Sequence, residues 1–197
     1  MLGEEWTRTP VEPELRGFTY PRPPQQFTIA LGIVTDREET PVHFHPQDAD
    51  YDARVRASFA RQAFMTTLGA QLVTIEPGYV VIELPFHADL AQQHGFLPAG
   101  AATAIVDSAC GYAALTLMAP TAEVLSVEFK VNLLAPATGA RFRAVGRVIR
   151  AGRTLTVCSG ELIMVPEGSD DRVDTGVVVV LMQATMMAVR ERGGLSG

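Results

Sequence analysis

Two cysteines, Cys110 and Cys158, are all that the 197 residues contain. That is too few for a disulfide framework or a cysteine-rich metal knot, so free, reduced thiols are expected, with no metal and no cofactor. Basic charge is short as well. Lys and Arg total 16 against 22 Asp and Glu, a net charge of −6, which is the wrong sign for gripping nucleic-acid phosphates. The opening MLGEEW is acidic where a secretory leader would be basic and then apolar; no leader is expected, and the cytoplasm is the expected compartment. The length suits one well-buried domain with an appendage.

Charge is scarcest between Leu97 and Met118, where Asp107 alone carries any among Ala, Gly, Ile, Val, Leu and Tyr. Such a stretch reads as a helix surrounded by other elements, and an isolated carboxylate inside it carries a heavy desolvation penalty unless it is used or partnered. Asp107 is therefore a site candidate; the plainer reading is a turn facing solvent, or an acid satisfied by a neighbouring hydroxyl such as Ser108. A membrane span is excluded by the central acid, the abundance of Ala and Gly, and the lack of flanking Lys or Arg.

Around this helix the chain divides into a Pro-rich arm over residues 1–50, with seven of the thirteen prolines, a domain over 51–190 and a tail over 191–197. The arm shows no sustained period beyond a short candidate strand at Ile29–Val34. His43 and His45 near Asp48 and Asp50 have a spacing a metal could use, but read better as solvated loop. Asp52–Leu68 places Val55, Phe59, Ala63 and Phe64 on one face of an amphipathic helix, with Arg54, Arg61 and Gln62 elsewhere. Ala70–Ile75 and Tyr79–Leu84 are apolar strands joined by Glu76-Pro77-Gly78, a hairpin. After the central helix, Leu125, Val127, Phe129, Val131 and Leu133 alternate with Ser126, Glu128, Lys130 and Asn132, predicting a strand with one buried face. Arg141–Arg150 and Thr154–Met164 form a second hairpin, a polar loop follows at Glu167–Asp174, and Gly176–Val189 is a further buried strand. Four consecutive strands in antiparallel connection, curled around one apolar helix, predict an α+β fold.

The segments Gln92–Phe96 (QQHGF), Ala99–Leu115 (AGAATAIVDSACGYAAL), Leu125–Ala137 (LSVEFKVNLLAPA) and Gly146–Val157 (GRVIRAGRTLTV), in this order and spacing, resemble the hot-dog fold acyl-CoA thioesterases, and within them the group similar to the phenylacetate-degradation (PaaI-like) enzymes. The resemblance implies an antiparallel sheet wrapped around one long central helix. It also implies a catalytic carboxylate matched by Asp107, a carbonyl-polarising N–H near the helix start matched by Ala99 with Gly100 beside it, an upstream amide matched by Gln92, and a strand serine matched by Ser126. Relatives often open the helix with His-Gly-Gly, nine residues before the acid. Here Pro98-Ala99-Gly100 stands instead, so either His94, with Gly95 and Phe96, approaches substrate from the loop or the site needs no histidine.

Thioester hydrolysis needs a water or carboxylate aimed at the carbonyl carbon and donors aimed at its oxygen. The first helical turn supplies free N–H groups, and Pro98 suits the first helical position. Eight residues separate Ala99 from Asp107, about 12 Å along a straight helix, so donor and acid acting on one carbonyl are expected to come from different copies of a homodimer, possible also as a dimer of dimers. Arg150 and Arg153, with Arg143 and Arg147 behind, are candidates for the coenzyme A phosphates, and an apolar slot is expected to take the acyl group. Two other readings stand beside hydrolysis: a non-catalytic acyl-CoA-binding module, and a hydratase or dehydratase on the same fold.

Overall fold

In a computed structural model of the chain, the described residues are 43–166, 168 and 176–190. Most of the expected arm with its Ile29–Val34 strand, nearly all of the Glu167–Asp174 loop and the 191–197 tail lie outside them. The elements run α1 (Tyr51–Arg61), α2 (Ala63–Leu68), β1 (Gln71–Glu76), β2 (Tyr79–Pro85), α3 (Ala99–Leu115), β3 (Ala122–Leu133), β4 (Arg141–Ala151), β5 (Leu155–Val165) and β6 (Val177–Arg190). All six strands form one antiparallel sheet in the order β1-β2-β4-β5-β6-β3. The hot-dog architecture follows: one sheet curled around one helix.

The order corrects one expectation. β4, β5 and β6 are consecutive neighbours, but β3 skips its successor and pairs with β6 at the sheet edge, while β4 pairs with β2. The reason is α3, which lies between β2 and β3 in sequence and carries the chain across the concave face, so β3 begins on the far side.

α3 fits there because its residues are small and the sheet yields beneath it. Ile105, Val106, Ala109 and Cys110 have no exposed surface. Gly146 and Gly160 face each other across the β4–β5 ladder. A Cβ on Gly146 would stand 2.3 Å from the Ala109 carbonyl, and one on Gly160 would stand 2.5 Å from Val106 Cγ1. The two glycines thus form a saddle under the middle of α3. Fully buried Phe142, Ile82, Leu84 and Leu162 close around it, each contributing roughly 1.5–3 kcal/mol by leaving water. On the opposite face Val81, Val145 and Ile163 form a smaller buried cluster.

The C-terminus of α3 is closed by a side chain from α1. Arg54 donates from Nη1 to the Ala119 and Ala122 carbonyls at 2.7 and 3.1 Å, and from Nη2 to those of Leu115 and Met118 at 3.0 and 2.9 Å. A cation on the last carbonyls also complements the helix dipole. Residues 43–50 reach the same end of the domain. Gln47 donates to the Leu117 carbonyl at 2.9 Å, Asp48 pairs with Arg54 at 3.0 Å, and the Phe44 ring lies over Gly78. Gly78, at φ +76° in the β1–β2 turn, adopts a conformation natural to glycine.

Two local departures from regularity shape the cleft. The first helix is not continuous: it breaks at Gln62, whose backbone sits at φ −80°, ψ 88°. The second is a bulge in β3. Register against β6 jumps between Ser126 and Glu128, so Val127 faces no partner. Upstream of the bulge Ser126 lies opposite Met186, and downstream Phe129 lies opposite Ala184; Met186 and Ala184 are both buried beneath α3. Ser126 therefore shares a face with Phe129, Val131 and Leu133, and Leu125 shares one with Glu128 and Lys130, where unbroken alternation would have reversed both assignments. The expected burial of the apolar side also fails within one copy. Leu125, Val127, Phe129 and Leu133 are 54%, 53%, 46% and 56% exposed.

Candidate active site

Asp107 sits midway along α3, half-buried, at the wall of a cleft of about 320 Å³. α3 supplies Asp107, Ser108, Gly111 and Tyr112 to that cleft; α1 and the break after it supply Ser58, Arg61 and Gln62; β3 supplies Glu123, Val124 and Ser126. The bulge brings the serine to the acid: Ser126 Oγ donates to Asp107 Oδ1 at 2.7 Å and lies 3.4 Å from Met186 Sδ. Burial pushes the Asp107 carboxyl above the usual carboxylate range, and the Ser126 hydrogen bond pulls it part of the way back. One carboxylate oxygen is thus engaged, and the other accepts no hydrogen bond among the described residues.

Ser108, which the sequence offered as a partner for the acid, turns elsewhere. Gln62 Nε2 donates to Ser108 Oγ at 3.3 Å, and Tyr112 Oη donates to Gln62 Oε1 at 3.1 Å. The amide so bridges two α3 residues one turn apart. Phe59 holds the Tyr112 ring edge-to-face at 5.7 Å, and burial raises the phenol above its ordinary value, keeping it a neutral donor. Eight of the ten residues lining the cleft are polar or charged. No signal in the sequence marked Gln62, since Arg61, Gln62 and Ala63 all favour a continuous helix.

The remaining site residues gather in two other places. Ala99 and Gly100 are exposed at the start of α3, where Pro98 is the extended N-cap (φ −61°, ψ 146°) and not the first helical residue. The first intrahelical bond runs from Ala102 N to the Pro98 carbonyl. The N–H groups of Ala99, Gly100 and Ala101 thus have no acceptor among the described residues, a ready anion site. Gln92, His94, Gly95 and Phe96 form the loop just before. Gln92 N donates to the Phe96 carbonyl at 2.9 Å and His94 N to Gln92 Oε1 at 2.8 Å, while Leu97 N ties the loop to the Ala137 carbonyl at 3.0 Å. Arg150 and Arg153 are exposed at the β4–β5 tip, Arg153 beside the residues that follow α3. Within one copy the structure brings together Asp107 and Ser126; the helix start and the arginines are not part of their cleft.

Cys110 and Cys158 are buried and free. Burial raises both thiols, that of Cys158 to about 12, so both pack as small hydrophobes. Among the described residues no helix is long and apolar enough to cross a membrane.

Residues 94–167, which span α3 through β5, match the thioesterase superfamily. A thioesterase family protein of Silicibacter pomeroyi, known by crystal structure, is 46% identical. It superposes with a TM-score of 0.67 over 72% of this chain and 99% of that one. A protein of Saccharolobus solfataricus named as an esterase is 31% identical over 90 residues, 46% of this chain and 64%, less than two thirds, of that protein. The PaaI protein from the phenylacetic acid degradation operon of E. coli shares the fold at 16% identity, with a TM-score of 0.62 over 75% of this chain and 97% of that one.

Proposed function

The chain belongs to the thioesterase superfamily, and from that premise we propose that it hydrolyses an acyl-CoA thioester to the free acid and coenzyme A. In this reading Asp107 of one copy drives attack on the carbonyl carbon, directly or through a water. The Ala99 N–H of a second copy, with that of Gly100 beside it, receives the charge developing on the oxygen. The acyl–sulfur bond breaks, an acyl–oxygen bond forms, and the departing thiolate takes a proton.

The observation that carries the proposal is the separation of bare donors and acid on one rod, beside an uncovered strand. Ala99 and Asp107 lie eight residues apart on a single helix, about 12 Å, too far to touch one carbonyl together. β3, twelve residues long, forms the sheet edge and exposes Leu125, Val127 and Phe129. An edge strand of that length invites pairing with another copy. Pairing β3 to β3 about a two-fold axis would extend the sheet and set each Asp107 near the other helix start, forming two equivalent sites in a homodimer that can pair again as a tetramer. Gln92 and His94–Phe96 then border the partner's cleft, and Arg150 and Arg153 receive coenzyme A phosphates.

Asp107→Asn tests the assignment. Loss of the carboxylate is expected to lower kcat on the order of 10²–10⁴-fold, with acyl-CoA binding retained. The melting temperature should rise, since a half-buried charge is removed while Ser126 keeps an acceptor. Retained hydrolysis in that variant would rule Asp107 out and favour a different centre.

A further inference from the structure

The cleft beside Asp107 has a second polar group that hydrolysis does not use. Gln62 is a good helix former between two others, and the helix nevertheless breaks there. The break costs helical hydrogen bonding; what it achieves is the placement of one amide against Ser108 and Tyr112 inside the cleft. The bridge consumes the amide oxygen and one amide hydrogen; the second hydrogen makes no bond among the described residues. Ser108 to Tyr112 is one turn, so this group sits beyond Asp107 along the helix by up to about 7.5 Å, five residues' rise.

We infer that Gln62 is a specificity-determining residue, and that its free N–H selects acyl groups carrying a neutral hydrogen-bond acceptor, a hydroxyl or keto oxygen, several bonds beyond the thioester carbonyl. The inference rests on the hydrolase reading above and names its substrate class. A plain alkyl end placed against the amide would strip water from that N–H and return no acceptor, whereas an oxygen substituent replaces the water. A neutral group is favoured over a carboxylate because Arg61 and Glu123, both exposed on the cleft wall, offset each other.

The test compares 5-oxohexanoyl-CoA, whose keto oxygen can only accept, with hexanoyl-CoA as matched thioesters, following thiol release. For the wild-type protein kcat/KM is expected to favour the keto substrate about tenfold, the discrimination of one half-open hydrogen-bonding site. Gln62→Glu keeps the shape but replaces the N–H donor with an acceptor, and should bring the ratio to about one; Gln62→Leu should bring it to one or below. A wild-type ratio near one, or a tenfold ratio that survives either substitution, overturns the inference while leaving the hydrolase reading intact. Hydrolysis of no acyl-CoA at all overturns both.

Discussion

Ala99→Pro isolates one backbone hydrogen. Position 99 is the first helical residue, where a missing N–H breaks no intrahelical bond. Pro98 already holds φ −61°, ψ 146°, the extended conformation that a residue before proline prefers. Ala99 is exposed, so the ring has room. Stability should therefore change by no more than about 0.5 kcal/mol, a melting shift of about 2 °C or less for a domain of this size. Deleting one donor to a developing oxyanion costs about 10²–10³ in kcat, roughly 2.7–4 kcal/mol. Because Gly100 still offers its N–H, the lower end of that range, about 10²-fold, is expected. Thiol release under saturating acyl-CoA reads kcat, and Ala99→Gly, which keeps the donor, serves as control. A proline variant with unchanged melting temperature and kcat within about threefold of wild type would refute the role given to this N–H.

The pH profile follows from Asp107. In the proposed hydrolysis it acts ionised, and burial raises its carboxyl, so activity should fall on the acid side at a higher pH than an ordinary carboxylate would give. Ser126→Ala removes the hydrogen bond that opposes that shift, and its acid limb should move further up in pH; a limb that stays or moves down contradicts the pairing. Gly146→Ala should be far more damaging than Gly160→Ala. At Gly146 the new Cβ meets helix backbone at 2.3 Å where ordinary contact begins at 3.4 Å, so α3 must retreat by about 1 Å; at Gly160 it meets the side chains of Val106 and Cys110. About 3 kcal/mol of destabilisation and a drop in kcat approaching 10²-fold from the displaced acid are expected at Gly146, measured by thermal melting and turnover. Equal effects at both positions would show that the saddle does not set the height of α3.

The helix, the strands and their boundaries were legible because apolar periodicity and turn residues are local signals. Asp107 stood out because nothing around it in sequence carries charge. What stayed hidden depends on partners distant in sequence. The bulge at Val127 shifts a register set by β6, so alternation placed Ser126 on the wrong face even while the family likeness marked it. The break at Gln62 runs against its own propensity and is held by Ser108 and Tyr112, 46 and 50 residues away. The edge position of β3 reflects the path of α3 across the sheet. The apolar residues of that strand read as buried because the sequence pattern carries no mark of whether its cover comes from the same copy or another.

Mixing Asp107→Asn protein with Ala99→Pro protein tests the shared site most directly. Each parent alone should be nearly inactive, since every site carries one defect. After dissociation and reassociation of equal amounts, about half the dimers are mixed, and each holds one doubly defective site and one intact site, so activity should return to about a quarter of wild type. Activity that stays at the mean of the two parents would contradict a site built from the acid of one copy and the helix start of another.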